Sequence, residues 1–237
     1  MQPSKIENIV LEDKKTWDNR TFITLDIDWC HDDILSDTVE LLKKYNVPAT
    51  FFVTHETDIL ADLRKNPLFE LGIHPNFNRL LSGNHSLGSN FQEVIEHYMK
   101  IVPDSKVVRS HSMTQNSPIL DSFREFGLTH DCNHFIPFQS GMEMKPWKLW
   151  NDLIKVPYCW EDDVTCLFKD YQLAPVKGVS VYDFHPIHIF LNSYELSTYE
   201  STREHHRNPA TLVEHRDARE GTRNLFINLL EKCNESN

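Results

Sequence analysis

The chain has 237 residues and is acidic, with 24 basic and 35 acidic side chains that give a net charge of −11. This balance argues against nucleic-acid binding, which needs a basic surface, and no apolar run approaches the length of a membrane span. Hydrophobic residues make up 40 % of the chain, which suits a soluble globular protein with a sizeable core. The length fits a single domain over residues 1–237, or at most two small ones.

Cysteine usage and the N-terminal residues bear on the cellular compartment. The N-terminal residues Met1 to Lys5 show no basic start followed by an apolar stretch, so no signal peptide is predicted. The five cysteines are odd in number and lack Cys-x-x-Cys spacing, which favours reduced thiols and a cytoplasmic protein. These cysteines are Cys30, Cys132, Cys159, Cys166 and Cys233.

Strand-like and helix-like segments alternate along the chain, which predicts a barrel or a doubly wound α/β sheet. The predicted strands are 21–27, 49–53, 69–73, 107–108, 129–133, 153–156 and 179–184. The predicted helices begin at Asp37, Glu56, Phe91 and Ser117, with a closing helical region from Asn208. The polar segments 76–90 and 192–208 and the weakly patterned segment 135–150 are predicted to be loops. Long loops such as 135–150 and 192–208 often shape a substrate site.

Two carboxylates end the first predicted strand, in Thr24-Leu25-Asp26-Ile27-Asp28. Side chains alternate along a strand, so Asp26 and Asp28 are expected on the same face. Neighbouring carboxylates repel each other and are tolerated where a cation or a functional proton compensates them. The segment is therefore a candidate catalytic or metal-binding site.

Charged or imidazole side chains also end the later apolar runs. His74, Arg109 and His185 each follow such a run, and Glu161, Asp162 and Asp163 follow another. Barrel-like α/β enzymes gather their active sites at the carboxyl ends of their strands. The pattern therefore predicts one cleft that contains these side chains.

In order and spacing, these motifs resemble the NodB-homology polysaccharide deacetylases, a carbohydrate esterase family 4-like group. The similarity runs from about Thr21 to Pro186. More narrowly, the motifs resemble a divergent subgroup that is associated with the biosynthesis of bacterial surface polysaccharides such as lipopolysaccharide. The resemblance implies a distorted (β/α)7 barrel of the NodB-homology type. It also implies a hydrolase of linear amides that removes acetyl groups from N-acetylated sugars with a divalent metal, commonly zinc.

Carried over to this sequence, the first motif makes Asp26 the catalytic base and Asp28 a metal ligand, although the order could be reversed. In the second motif, two histidines four residues apart bind the metal. His74 matches the first of them, and Asn78 stands in place of the second. An amide oxygen is a weaker ligand than imidazole, so zinc binding would be weakened and the choice of metal broadened.

The third motif makes Arg109 the residue that orients the base. His111, in Ser110-His111-Ser112, replaces the usual residues after this arginine and could contact metal or substrate. The remaining motifs make His185 the general acid and Asp162 the acid that tunes it, with Asp163 as the alternative.

Other interpretations stay open from the sequence. His31, Asp32 and Asp33 either cap the next helix, which we favour, or serve as alternative ligands. Two other functions remain: a metal-dependent amidohydrolase acting on a small non-sugar amide, and a non-catalytic carbohydrate-binding relative. A wide, aromatic-lined cleft would favour a sugar, whereas a closed pocket would favour a small amide.

Overall fold

In a computed structural model, which describes residues 1–168, 173 and 176–235, ten strands form one sheet. The order across the sheet is β7-β8-β6-β5-β4-β3-β2-β10-β9, and β1 pairs with β2. The pairings are parallel except for that between β7 and β8. The strands are β1 Gln2–Ser4, β2 Arg20–Asp26, β3 Ala49–Val53, β4 Phe69–Ile73, β5 Val107–Val108, β6 His130–Phe135, β7 Trp147–Lys148, β8 Ile154–Tyr158, β9 Trp160–Glu161 and β10 Ser180–Phe184.

The sheet closes on itself through a single extended segment. Strands β8 and β9 are separated only by Cys159, whose amide donates to the carbonyl of Val181 in β10. The first part of the segment pairs with β6 and the last part with β10, which in turn pairs with β2. Counting β8 and β9 as one, the parallel circuit is β2, β3, β4, β5, β6, β8/β9 and β10, which matches the seven predicted strands.

Burial of the strands on both faces explains their apolar sequences. Every residue of β3 and β10 is buried, as is nearly all of β2. A parallel sheet with helices outside and packed side chains inside has no solvent-exposed face, so its strands read as nearly continuous apolar runs. The acids Asp26 and Asp183 within these runs are therefore exceptions that need a chemical explanation.

The helices are α1 Asp32–Tyr45, α2 Ile59–Lys65, α3 Asn78–Leu81, α4 Phe91–Ile101, α5 Ser117–Glu125, α6 Asp162–Phe168, α7 Pro186–Leu191, α8 Leu196–Ser201, α9 Pro209–Leu212 and α10 Thr222–Asn234. Helices α1 to α6 lie between strands in the sequence, and α7 to α10 follow the last strand, β10. The buried side chains of α10 include Phe226, Leu229, Leu230 and Cys233, as predicted. Among the described residues, no helix has the length and apolarity needed to cross a membrane.

The first helix begins five residues earlier than predicted, at Asp32. His31 caps it, because its Nδ1 accepts a hydrogen bond from the amide of Asp33 at 3.2 Å. This confirms the favoured capping role of the segment. Asp37, which was predicted as the cap, lies inside the helix and pairs with Arg223.

Two predicted loops contain helices. Residues 192–208 hold α8 and a short 3-10 turn, Arg203–His205, so the prediction of a loop there is wrong. Residues 76–90 hold the short α3. Polar composition suggested loops, but these helices lie on the surface and need little apolar sequence.

Candidate metal centre and active site

Side chains from the carboxyl ends of five parallel strands, with β8 and β9 counted as one, meet in one cavity of about 110 Å³. The predicted site residues that line it are Asp26, Asp28, His74, Arg109 and His185. Asp162 lies behind His185, and Asn78 is absent from the lining. The structure thus brings together six of the seven predicted site residues.

A turn, not the strand itself, carries Asp28 into the cavity. Strand β2 ends at Asp26, and Asp28 and Trp29 both adopt left-handed conformations, with φ of 34° and 54°. The turn is held by the Trp29 amide, which donates to the hydroxyl of Thr54 at 3.0 Å. Such conformations cost energy in residues with a side chain, and they concentrate at functional sites.

Backbone hydrogen bonds between neighbouring segments continue past the ends of the strands and position the imidazoles of His74 and His111. The amide of His74 donates to the carbonyl of Val53 at 2.9 Å, and that of His111 donates to the carbonyl of Pro75 at 3.0 Å. Ser112, directly after His111, adopts a left-handed conformation with φ of 56°. The cavity is therefore bordered by two turns with positive φ.

Three donor atoms lie at nearly equal separations: Asp28 Oδ1, His74 Nε2 and His111 Nδ1. The two imidazole nitrogens are 3.3 Å apart, and each lies 3.4 Å from the carboxylate oxygen. A tetrahedron with metal–ligand bonds of about 2.0–2.1 Å has edges of about 3.3–3.4 Å. The three atoms thus match one face of a tetrahedral zinc site.

Asn78 lies outside this group. Its side chain is exposed at the start of α3, where its amide nitrogen donates to Ser112 Oγ at 3.1 Å. Its oxygen accepts from the hydroxyl of Thr114 at 3.3 Å. Both polar atoms of Asn78 are therefore engaged in hydrogen bonds at the surface, while His111 lies beside His74.

The electrostatics of this group also suit a cation. Asp28 Oδ1 is buried without a hydrogen-bond partner in the described residues, which is costly for a carboxylate oxygen. Burial lowers the pKa of His74 to about 3, so its imidazole is neutral, the form that binds metal. Burial raises the pKa of Asp28, but His111, His74 and His185 together bring it below its ordinary value.

Arg109 is fixed between two carboxylates and two aromatic rings. Its Nη1 donates to Asp26 Oδ1 at 2.9 Å and also to Asp183 Oδ1, while its guanidinium lies 4.6 Å from the ring centres of Phe52 and Tyr158. Burial raises the pKa of both aspartates, and the charge of Arg109 opposes this. One buried cation therefore holds two buried acids in place.

His185 and Asp162 form a tight pair. The Nδ1 of His185 and Asp162 Oδ1 are 2.7 Å apart, and the backbone amide of His185 donates to the other carboxylate oxygen at 2.7 Å. Burial lowers the pKa of His185, but Asp162 and Asp163 outweigh this and raise it well above its ordinary value. Asp163 itself pairs with His188 Nε2 at 2.6 Å.

The sequence reasoning missed Asp183 as a site residue. It lies inside the apolar strand β10, in register with Thr24 of β2, and the Thr24 hydroxyl donates to it at 2.8 Å. An acid in the middle of a buried run was the available signal. Glu161 also lines the cavity, and burial raises its pKa to about 8.

Asp28, His74 and His111 are called the ligand group below. A wider cavity of about 860 Å³ adjoins the smaller cavity and shares four lining residues with it: Asp28, His111, Asp163 and His185. Aromatic side chains, Trp29 and Tyr199, line it. Trp29 also contacts His111 edge to face, with ring centres 5.2 Å apart. The ligand group therefore lies at the side of a space large enough for a substrate bigger than a small amide.

Comparison with known proteins identifies the class of this barrel. The family model of WbmS-like polysaccharide deacetylases matches residues 23–203, and the chain belongs to this family. It is 41 % identical, over 98 % of each chain and with a TM-score of 0.92, to the crystal structure of a candidate polysaccharide deacetylase involved in O-antigen biosynthesis from Bordetella bronchiseptica.

A more distant likeness concerns the fold alone. A candidate polysaccharide deacetylase from Mycobacterium smegmatis is 16 % identical over 94 % of this chain and 96 % of that chain, with a TM-score of 0.50. None of the curated proteins matches the sequence. The family and the distorted α/β barrel predicted from the sequence are thus confirmed.

Proposed function

We propose that the protein is a metal-dependent N-deacetylase that acts on an N-acetylated sugar of a bacterial surface polysaccharide or its precursor, and that residues 1–237 form one catalytic unit. The observation that carries the proposal is the group Asp28, His74 and His111, whose donor atoms lie 3.3–3.4 Å apart. Two buried ion pairs, Asp26–Arg109 and Asp162–His185, lie beside this group. When bound there, a divalent ion such as zinc would polarise the amide carbonyl and lower the pKa of water.

Asp26 is placed to act on the attacking water. Its Oδ1 is held by Arg109 at 2.9 Å, and its Oδ2 lies 3.6 Å from His74 Nε2, next to the ligand group. We assign Asp26 as the base that accepts a proton from water as the water oxygen bonds to the acetyl carbon. Arg109 keeps this carboxylate oriented and bridges it to Asp183.

His185 is placed to act on the leaving nitrogen. Its Nε2 lies 3.7 Å from Asp28 Oδ2, on the cavity side, and its Nδ1 is held by Asp162. We assign His185 as the acid that protonates the sugar nitrogen as the carbon–nitrogen bond breaks, with Asp162 favouring the charged imidazole. Water and the amide are thereby converted to acetate and a free amino sugar.

The shape of the site favours a sugar over a small amide. A closed pocket was the expectation for an amidohydrolase of small amides, whereas the cavity of about 860 Å³ beside the ligand group carries Trp29 and Tyr199 on its walls. Aromatic rings pack against the apolar faces of sugar rings. The second candidate, a non-catalytic carbohydrate-binding relative, is left to the experiment below.

The test combines metal analysis with acetate release. The full chain, stripped with EDTA and reloaded with zinc, is assayed for acetate from short N-acetylglucosamine oligomers and from acetamide. We expect zinc at about one ion per chain, and acetate from the sugar that is lost with EDTA and restored by zinc. Zinc binding without turnover would favour the non-catalytic relative, and faster hydrolysis of acetamide would favour the small-amide enzyme.

A further inference from the structure

Three arginines line the wider cavity beside the ligand group: Arg79, Arg203 and Arg207. All three are exposed. Their gathering contrasts with the net charge of −11 for the whole chain. An acidic protein repels anions at long range, so basic residues collected at one cavity create a local exception in its electrostatic field.

The lining of the same cavity also contains three carboxylates, and each has an interaction of its own. Glu200 pairs with Arg203 at 2.7 Å, Asp163 pairs with His188, and Asp28 belongs to the ligand group. Of the three arginines, only Arg203 is thereby neutralised.

Arg79 and Arg207 are anchored by neutral oxygens. The Nη1 of Arg79 donates to Ser86 Oγ at 3.1 Å, and that of Arg207 donates to the backbone carbonyl of Trp29 at 2.8 Å. Among the described residues, neither forms an ion pair with a carboxylate. Each guanidinium is thus fixed at the cavity by one nitrogen and keeps further donors for a ligand.

The positions of the two arginines relate them to the ligand group. Trp29, whose carbonyl accepts from Arg207, directly follows Asp28, and Arg79 lies in α3, five residues after His74. Both arginines therefore line the same cavity as the ligand residues Asp28 and His111. A molecule whose anionic group binds these arginines would extend along the same cavity to Asp28 and His111.

We propose that the substrate of this deacetylase is an anionic acetylated sugar, and that Arg79 and Arg207 bind its anionic group. This inference rests on the proposed function. Guanidinium groups bind carboxylate and phosphate oxygens through paired, charge-assisted hydrogen bonds. The shared chemistry is a tetrahedral or planar oxyanion, supplied either by a phosphate ester at the anomeric carbon or by the carboxylate of a uronic acid.

The experiment uses three probes with the zinc-loaded full chain: the methyl glycoside of N-acetylglucosamine, N-acetylglucosamine 1-phosphate, and N-acetylglucosaminuronic acid. Binding is measured by calorimetry, and acetate release is measured separately. We expect at least one anionic probe to bind about ten- to a hundredfold more tightly than the neutral glycoside. A preference for the phosphate or for the uronic acid identifies the source of the anion.

Variants connect the preference to the two arginines. R79Q and R207Q should each reduce the anionic preference about tenfold, and R79K and R207K should retain part of it because the charge remains. R124Q, on α5 and outside the cavity lining, is the matched control and should leave the preference unchanged. R79Q does not touch the turn of Trp29, so it tests the inference even if R207Q disturbs that turn.

The outcomes separate this inference from the proposed function. Equal binding of all three probes, or a preference that survives in R79Q/R207Q, would overturn the inference while leaving deacetylation intact. A preference that depends on the arginines, without acetate from any probe, would retain the inference about the ligand and refute the assigned activity.

Discussion

Buried carboxylates occur at both ends of the barrel, and their hydrogen bonding differs. At the amino end, Glu70 accepts the amide hydrogen of Glu7 on one oxygen and the hydroxyl hydrogen of Thr50 on the other. At the carboxyl end, Asp28 Oδ1, His74 Nδ1 and Arg109 Nη2 are buried without a hydrogen-bond partner in the described part of the chain.

This difference distinguishes a polar cluster whose hydrogen bonds are complete from one with polar atoms available to a ligand. A buried polar atom without a partner costs about 1–3 kcal/mol, so a fold retains several together where a ligand or a reaction makes use of them. The amino-end cluster is complete in the free protein and needs nothing further. The carboxyl-end cluster is incomplete, and its geometry suits a cation and a substrate.

The strongest test of the carboxyl-end cluster is Asp26→Asn. The amide keeps the size of the carboxylate but cannot accept a proton, so kcat for acetate release should fall by about 10²–10⁴. Arg109 retains Asp183 as its carboxylate partner, so the melting temperature should change little. The same substitution at the exposed Asp33 is the control. Activity close to that of the unmodified protein would move the base to another residue.

The next test concerns the third ligand. His111→Ala should weaken zinc binding by at least about a hundredfold, because even residues that only support metal ligands contribute ten- to a hundredfold. Asn78→Ala should weaken zinc binding much less than His111→Ala, since the Asn78 side chain is exposed and contacts Ser112 and Thr114, not a ligand atom. Calorimetric titration with zinc measures both variants. A large loss in Asn78→Ala with none in His111→Ala would restore the ligand set implied by the family motif.

The sequence predicted the strands and most of the site for one physical reason. The carboxyl ends of parallel strands meet at one edge of the sheet, so the sequence alone groups Asp26, His74, Arg109 and His185 in one cleft. The predicted bounds 49–53 and 69–73 are the observed ones. The predicted start of α4 at Phe91 is also the observed one.

The features that the sequence did not predict depend on contacts between residues that are distant in the sequence. His111 lies 37 residues from His74, and only the ladder between the strand ends brings the two rings together. Asp37-Thr38-Val39-Glu40 has the pattern of a capping box, but the helix continues upstream to the His31 cap. Asp183 was missed because it lies inside an apolar strand, where its role depends on Arg109 from another element.

The amino-end cluster gives the smallest expected effect, and it concerns stability. Burial raises the pKa of Glu70 from 4.5 to about 7. Below pH 4.5 the group is protonated in both folded and unfolded chains, so it adds no pH dependence. Between pH 4.5 and about 7 the unfolded chain loses the proton first, so stability falls as pH rises. Well above pH 7 the loss is constant, on the order of 3 kcal/mol.

Glu70→Gln should remove this dependence, because the amide does not titrate. Free energies of unfolding from urea titrations at pH 5 and pH 8 measure the effect, and Glu12→Gln, an exposed position, is the matched control. The change in the free energy of unfolding on substitution, variant minus unmodified protein, should be more favourable at pH 8 than at pH 5 for Glu70→Gln. For the control it should be the same at both pH values. A contribution from metal binding at the other end cancels in this difference. An equal effect of Glu70→Gln at both pH values would show that Glu70 is already ionised at pH 5 in the folded protein, and that its two hydrogen bonds outweigh its burial.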